Sequence, residues 1–329
     1  MGNDILLISE AEVQQLLTID DALNAVEGAL REKGRQRVQM PPKSYIFFEK
    51  YHGDFRTMPS YLEDSDIAGV KVVNVHPNNP KTHHKPSVMA TILLIDPQTG
   101  ASLAIMGGTT ITRMRTGAIG GLATKYLGRT DAQTLALVGT GTQARTQLSA
   151  ISRTVQLQAV RAYDTNERAL HGFIAEAERR YPFDFTACAS VEDCVTSADV
   201  ISTTTPVTTP IVRNEWIAPG THINAIGADA PGKEELDPLL LKRAKIVVDD
   251  VEQATHSGEI NVPFAKGMIT VTDIYGELCD IVVGKKRGRI SNDEITVFDS
   301  TGLSLQDMAT AAVVFHRARE HKMGRIVSL

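Results

Sequence analysis

The chain is short of the residues that would staple or wire a small fold: 329 residues hold three cysteines, one tryptophan and 5% aromatic side chains. Cys188, Cys194 and Cys279 are too few and too scattered for a disulfide framework or a zinc site, and are expected to be inert. With so few aromatics the core must be aliphatic. At 42% hydrophobic over this length there is enough apolar material for two domains. No run of about 18 uninterrupted apolar residues is present, so no membrane span is expected. The start lacks the charged-then-apolar pattern of a secretory signal, so a cytoplasmic location is expected. Basic charge is not in excess, the net being −5, so no nucleic-acid partner is expected. The one basic cluster, Lys285-Lys286-Arg287-Gly288-Arg289, lies between predicted elements and reads as a solvated loop. His76, His83 and His84 sit in a Pro/Asn/Lys-rich stretch without ligand spacing, so no metal is expected.

What the chain does have is a strand feeding a glycine turn. Residues 133–144 run apolar into Gly139-Thr-Gly141-Thr142-Gln143-Ala144, the pattern that opens a dinucleotide-binding βαβ unit. Gly139 permits the tight turn, Gly141 admits a pyrophosphate where a Cβ would stand, and Ala144 lets helix and strand pack closely. The N–H groups of the next helix, predicted over 145–153, then face the phosphates. A second strand over 160–164 ends in Asp164, 25 residues after Gly139 and near the spacing of about 20 for an acid that binds the adenosine ribose. That carboxylate favours NAD over NADP, although Arg161 and Arg168 nearby weaken the exclusion.

Around this motif the pattern changes twice. Ser9-Glu-Ala-Glu12 and Thr18-Ile-Asp-Asp21 carry capping-box spacing, and the second helix is predicted to stop at Gly34. Strands follow over 43–48, 54–58, 68–75, 88–95 and 101–106, with turns at His52-Gly53 and Asp96-Pro-Gln-Thr-Gly100. Helices followed by a run of strands indicate an α+β region. From Thr116 a small-residue helix over 116–128 precedes alternating strands and helices, hence a mostly parallel sheet. Tight packing accounts best for its glycines, with some role for its N-terminus toward phosphate. A final helix beyond Gly302 places Leu305, Met308, Ala309, Ala312 and Val313 on one side, and it can return to the first region.

Hydride chemistry needs groups that hold a substrate and move protons. Lys43, Arg56, Lys71 and Arg115 are the cations in ordered segments, suited to a carboxylate. Lys71 lies within Ile67-Ala-Gly-Val-Lys71-Val-Val-Asn-Val, where a buried lysine has a proton affinity low enough to carry protons. A lysine that snorkels out of the strand is the alternative. Asp229, in Gly227-Ala-Asp229-Ala-Pro-Gly232-Lys233 just past a predicted parallel strand, is either a general base tuned by burial or a turn former. Thr203-Thr204-Thr205-Pro206 ends another strand and can line a cofactor.

Together, Met40-Pro-Pro-Lys43, Arg56-Thr-Met-Pro59, Gly69-Val-Lys71, Arg115-Thr116-Gly-Ala118, the glycine turn, Asn224-Ala-Ile-Gly-Ala-Asp229-Ala-Pro-Gly-Lys233 and Phe298-Asp-Ser-Thr-Gly302 resemble the ornithine cyclodeaminase and mu-crystallin family. The resemblance is strongest to its archaeal-type alanine dehydrogenase branch and covers nearly the whole chain. It implies an α/β fold in which a Rossmann NAD-binding domain, residues 116–302, is inserted into an α+β substrate and dimerisation domain, residues 1–115 with 303–329. It implies that Lys43, Lys71 and Arg115 surround a substrate carboxylate, that Lys71 carries protons, and that Asp229 lies near the reacting carbon and nitrogen. Arg115, Thr116, Gly141, Thr142, Gln143 and Asp164 would bind NAD, with Ala225, Gly227, Lys233 and Ser300 on the nicotinamide side.

Two positions depart from relatives. Ser87 stands where they often have Thr, which keeps a hydroxyl. Cyclodeaminases carry an acid where this chain has Arg56, and a cation there would repel ornithine's distal ammonium; Glu49 nearby partly offsets it. The expected activity is NAD-dependent oxidative deamination of a small L-amino acid, alanine first, to the 2-oxo acid by a homodimer. The alternatives are ornithine cyclodeamination, ketimine reduction, or a crystallin-like binding role without turnover.

Overall fold

A computed structural model describes residues 4–328. The chain divides into two compact units: Met1–Arg115 with Leu303–Leu329, and Thr116–Gly302. The α/β class expected from the pattern stands.

The first unit opens with helices Glu10–Leu16 and Ile19–Gly34, each started by the capping box its sequence spells: Ser9 with Glu12 and Thr18 with Asp21. Each such cap contributes about 1 kcal/mol by satisfying N–H groups that have no partner within the helix. The sheet runs in the order Arg325–Ser328, Asp4–Ile8, Ser102–Gly107, Val88–Ile95, Ile67–Val75, Gly53–Leu62 and Val38–Gln39, with Ser44–Phe48 also paired to Gly53–Leu62. All pairs are antiparallel except Asp4–Ile8 with Ser102–Gly107. The helix Ser304–Glu320 covers this sheet. Its core stripe is Leu305, Met308, Ala311, Val314, Phe315 and Ala318, packed with Leu62, Ile92, Leu94 and Met106. The stripe is rotated from the expected one: Val313 is only half-buried, and Ala309 and Ala312 flank the core.

The second unit is an eight-stranded, wholly parallel sheet in the order Asp184–Ala187, Ala159–Tyr163, Thr134–Val138, Val200–Thr203, His222–Ala225, Thr296–Asp299, Lys245–Val248 and Ile274–Glu277. The order reverses between Thr134–Val138 and Val200–Thr203, and ligands of such sheets bind at that reversal, beyond the carboxyl ends of the strands.

Two expectations change. The small-residue helix spans Thr109–Leu127, beginning seven residues before Thr116. Its first N–H groups are not available to phosphate, because Glu10 accepts from Thr109 N at 3.2 Å and Thr110 N at 2.6 Å. Its glycines serve packing, as expected: a Cβ on Gly117, Gly120 or Gly121 would collide with Thr146, Gln147 or Ala150 of the helix Thr142–Ile151. The basic cluster is only partly solvated. Arg289 turns inward and donates to the carbonyls of Leu127, Ser291 and Glu294 and to Thr296 Oγ1. Cys188 and Cys194 are neighbours, both buried and unoxidised. A hydrogen bond from Cys194 lowers the pKa of the Cys188 thiol. Among the described residues no helix is long and apolar enough to cross a membrane.

Candidate active site

In the first unit, the two-residue period of the strand Ile67–Val75 turns Ile67, Gly69, Lys71 and Val73 inward. Gly69 has no room for a side chain, since a Cβ would strike Leu93 and the sulfur of Met308. This close approach brings the strand against the helix Ser304–Glu320, whose Asp307 meets Lys71. Lys71 Nζ lies 2.6 Å from Asp307 Oδ2, with both side chains 0% exposed. The contact is an ion pair without the alignment of a good hydrogen bond. On the other oxygen, Arg115 Nε donates to Asp307 Oδ1 at 2.9 Å, and Arg115 Nη1 donates to Gln306 Oε1 at 3.2 Å. One buried carboxylate therefore serves two cations. Gln306 Nε2, also buried, has no protein acceptor among the described residues.

Burial drives the Lys71 pKa down to about 7. The Arg115 and Lys43 charges push the same way and Asp307 opposes them. The snorkelling alternative is thereby removed: this lysine is enclosed. Lys43, Lys71 and Arg115 thus come within electrostatic reach of one another. Arg56 has an acidic partner on its own strand. It forms a two-pronged pair with Asp54 at 2.9 and 3.2 Å and lies over the Tyr45 ring. The pair carries no net charge, so the expected repulsion of a distal ammonium by Arg56 loses most of its force.

In the second unit, Gly139 adopts φ +91°, a left-handed conformation that glycine enters without strain. Thr204 sits against it, bonded through its N–H to Val138 O. Gly141 is the N-cap of Thr142–Ile151, and a Cβ there would meet nothing within 4 Å. Thr142 is exposed and Gln143 half-buried at this helix start, while Ala144 is packed in the core. Asp164 Oδ2 accepts from both Thr140 N and Thr140 Oγ1 at 2.8 Å, and Oδ1 accepts from Asn166 N. The acid thus braces the turn and keeps acceptor capacity on Oδ1. An open cradle of backbone N–H groups at a helix start, with an acid at the next strand end, fits a dinucleotide.

Ala225, Gly227 and Ser300 gather at neighbouring strand ends, Ser300 N donating to Ala225 O. Thr116 lies one helical face away and passes its carbonyl to Gln147 Nε2. Lys233 Nζ is 2.6 Å from Asp229 Oδ1, and the Asp229 side chain is 38% exposed. Asp229 is thus half-buried and paired with a cation.

Sequence reasoning missed two groups. One is Asp307 with Gln306. The signal was an acid at stripe spacing, four residues before core Ala311. The other is a set of buried carboxylates under the strand ends. Glu235 accepts from Thr203 Oγ1, Thr205 N, Thr205 Oγ1 and Gly227 N at 2.6–2.9 Å. Glu259 accepts from Glu235 N and Leu236 N, Asp299 from Glu259 N and Ile260 N, and Asp249 from Thr301 N and Gly302 N. Burial and then the Glu235 charge hold Glu259 well above the usual carboxylate range.

The profile of the ornithine cyclodeaminase/mu-crystallin family matches residues 3–322. The alanine dehydrogenase of Archaeoglobus fulgidus is 47% identical over 98% of this chain and 97% of its own length. An archaeal alanine dehydrogenase dimer solved with bound NAD is 46% identical, covers 99% of both chains and superposes with a TM-score of 0.95. Thermococcus litoralis Δ1-pyrroline-2-carboxylate reductase, solved with NADH and L-proline, is 38% identical, covers 98% of this chain and 100% of its own, and also scores 0.95. Agreement of this extent, end to end in both sequence and fold, makes the chain a member of the ornithine cyclodeaminase/mu-crystallin family.

Proposed function

We propose that this protein is an NAD-dependent amino acid dehydrogenase that converts L-alanine and water to pyruvate and ammonia, reversibly. The observation that carries the reading is the enclosed Lys71–Asp307–Arg115 cluster, in which two cations share one carboxylate and a lysine titrates near neutrality. Likeness to alanine dehydrogenases over the full length supports it.

Arg115 and Lys43 are assigned to the substrate carboxylate, with Gln306 Nε2 as a neutral donor. Arg56, paired with Asp54, is assigned a supporting role toward that group. Gly139, Gly141, Thr142, Gln143 and Asp164 would hold NAD, with Arg115, Thr116, Thr204, Ala225, Gly227, Lys233 and Ser300 completing its site. When bound, NAD supplies the acceptor for the α-hydrogen of the substrate. The amine must be neutral for that hydrogen to leave with its electron pair. Neutral Lys71 or Asp229 takes the ammonium proton and releases it to solvent, then takes a proton from the water that adds to the iminium and returns it to the amino nitrogen, so that ammonia departs as the hydroxyl loses its proton and the carbonyl forms. Turnover in this direction should therefore rise as pH passes about 7, where Lys71 becomes neutral.

Dimerisation is assigned to the strand-rich unit. Its edge strand Ser44–Phe48 and the adjoining turn expose Ile46, Phe47 and Tyr51 at 53–63%, apolar surface of the kind an interface covers.

The test is to mix protein with NAD and L-alanine or L-ornithine, following NADH absorbance and released ammonia. NADH and ammonia from alanine are expected. Ammonia from ornithine without NADH accumulation would make the protein a cyclodeaminase, which the neutral Arg56–Asp54 pair leaves electrostatically open. NADH consumed with Δ1-pyrroline-2-carboxylate, and neither signal above, would make it an imine reductase.

A further inference from the structure

We infer that Asp307 is a positioning residue that sets the proton affinity of Lys71 and the aim of Arg115 together. The inference rests on the dehydrogenase reading for its kinetic consequence, but its structural basis is independent of substrate.

Asp307 is 0% exposed on the helix Ser304–Glu320 and places one oxygen on each cation: Oδ2 at 2.6 Å from Lys71 Nζ and Oδ1 at 2.9 Å from Arg115 Nε. The groups facing Lys71 come from three other segments. Asp307 is the anion among the described groups that act most strongly on it, while Arg115 from the helix Thr109–Leu127 and Lys43 ahead of the strand Ser44–Phe48 both repel its charged form. An enclosed lysine between two further cations would be neutral at all working pH values without that carboxylate. With it, both protonation states are accessible near pH 7, as a group that must accept and return a proton requires. Because Asp307 takes Arg115 through Nε, and Gln306 takes Nη1, the guanidinium is fixed at two points and its Nη2 is assigned to an outside carboxylate. One acid thus couples substrate binding to proton transfer: a substrate carboxylate arriving at Arg115 adds negative charge beside Lys71 and favours its protonated form just as the substrate ammonium offers its proton.

The test compares wild type, Asp307→Asn and Asp307→Glu. In L-alanine oxidation the acid limb of the kcat profile should lie near pH 7 in wild type. In Asp307→Asn it should move acid by about one pH unit or more, the size expected when a buried counter-charge is removed. Asp307→Glu should return it toward the wild-type position. The amine of alanine contributes equally to all three profiles.

A second readout needs no turnover. Between about pH 7 and the ordinary lysine value of 10.5, the unfolded chain holds a proton that folded Lys71 has released. Stability to urea therefore gains a rising contribution from Lys71 across that window. Lys71→Met should remove this contribution, and Asp307→Asn should start it at lower pH. If Asp307→Asn lowers kcat equally at every pH and leaves the stability profile parallel to wild type, Asp307 is only structural and the inference fails. If wild type makes no NADH from alanine, the dehydrogenase reading fails, and the urea profiles alone decide the role of Asp307.

Discussion

The two units bury charge by different means. In the strand-rich unit, Lys71 and Arg115 are neutralised by the single side chain of Asp307, so each charge depends on the others. In the nucleotide-binding unit, Glu235, Asp249, Glu259 and Asp299 are buried and accept hydrogen bonds from backbone N–H groups and threonine hydroxyls. Opposite side-chain charges make a cluster whose proton affinity shifts when any member changes or a charged ligand arrives. Backbone donors cannot titrate or move away, so they fix loop geometry instead. The first arrangement suits proton transfer, the second a rigid cradle.

The sharpest way to break this comparison is Lys71→Met. The proton carrier disappears while the nucleotide unit is untouched, so kcat should fall by about 10²–10⁴ with NAD affinity unchanged. Turnover within tenfold of wild type would assign proton transfer elsewhere, Asp229 first. Next is Glu235→Ala, which strands Thr203, Thr205 and Gly227 donors under the strand ends. It should reduce stability to urea by about 3 kcal/mol and loosen NAD binding together. A stability loss with unchanged NAD affinity would separate the scaffold from the cradle. The smallest effect belongs to Gly141→Val. Space around Gly141 is open and its φ of −70° suits any residue, so stability should change by no more than about 1 kcal/mol. The added side chain nevertheless stands where phosphate would approach, and KM for NAD should rise about tenfold or more, which is about 1.4 kcal/mol. An unchanged KM would remove this turn from the cofactor site.

How far the sequence could be read follows from how local each feature is. Capping boxes at Ser9 and Thr18 span four residues, and the structure forms both. The glycine turn, its helix and Asp164 lie within one βαβ unit, and each falls where that unit requires. The start of the helix Thr109–Leu127 was misread because Thr109 to Arg115 show no stripe of their own, and their N–H groups are capped by Glu10, about 100 residues away in sequence. Asp229 read as either a general base or a turn former because it follows a strand end, and the structure pairs it with Lys233 with its side chain 38% exposed. Arg56 was expected to be partly offset by Glu49, and the structure pairs it with Asp54, two residues away on the same strand.

By itself, then, the sequence determined the order of elements, the two classes of sheet, the nucleotide-binding turn and the oddity of a lysine in an apolar strand. Those depend on period, spacing and turn chemistry within a few dozen residues. Which charge answers Lys71 was decided only by tertiary structure. Asp307 lies 236 residues further along the chain, and nothing in the spacing of either segment specifies the other. They meet because the glycine at position 69 lets a strand and a helix approach closely enough for one carboxylate to reach both Lys71 and Arg115. The proton affinity of the lysine depends on that meeting, since it is a property of the enclosed space and the charges facing it.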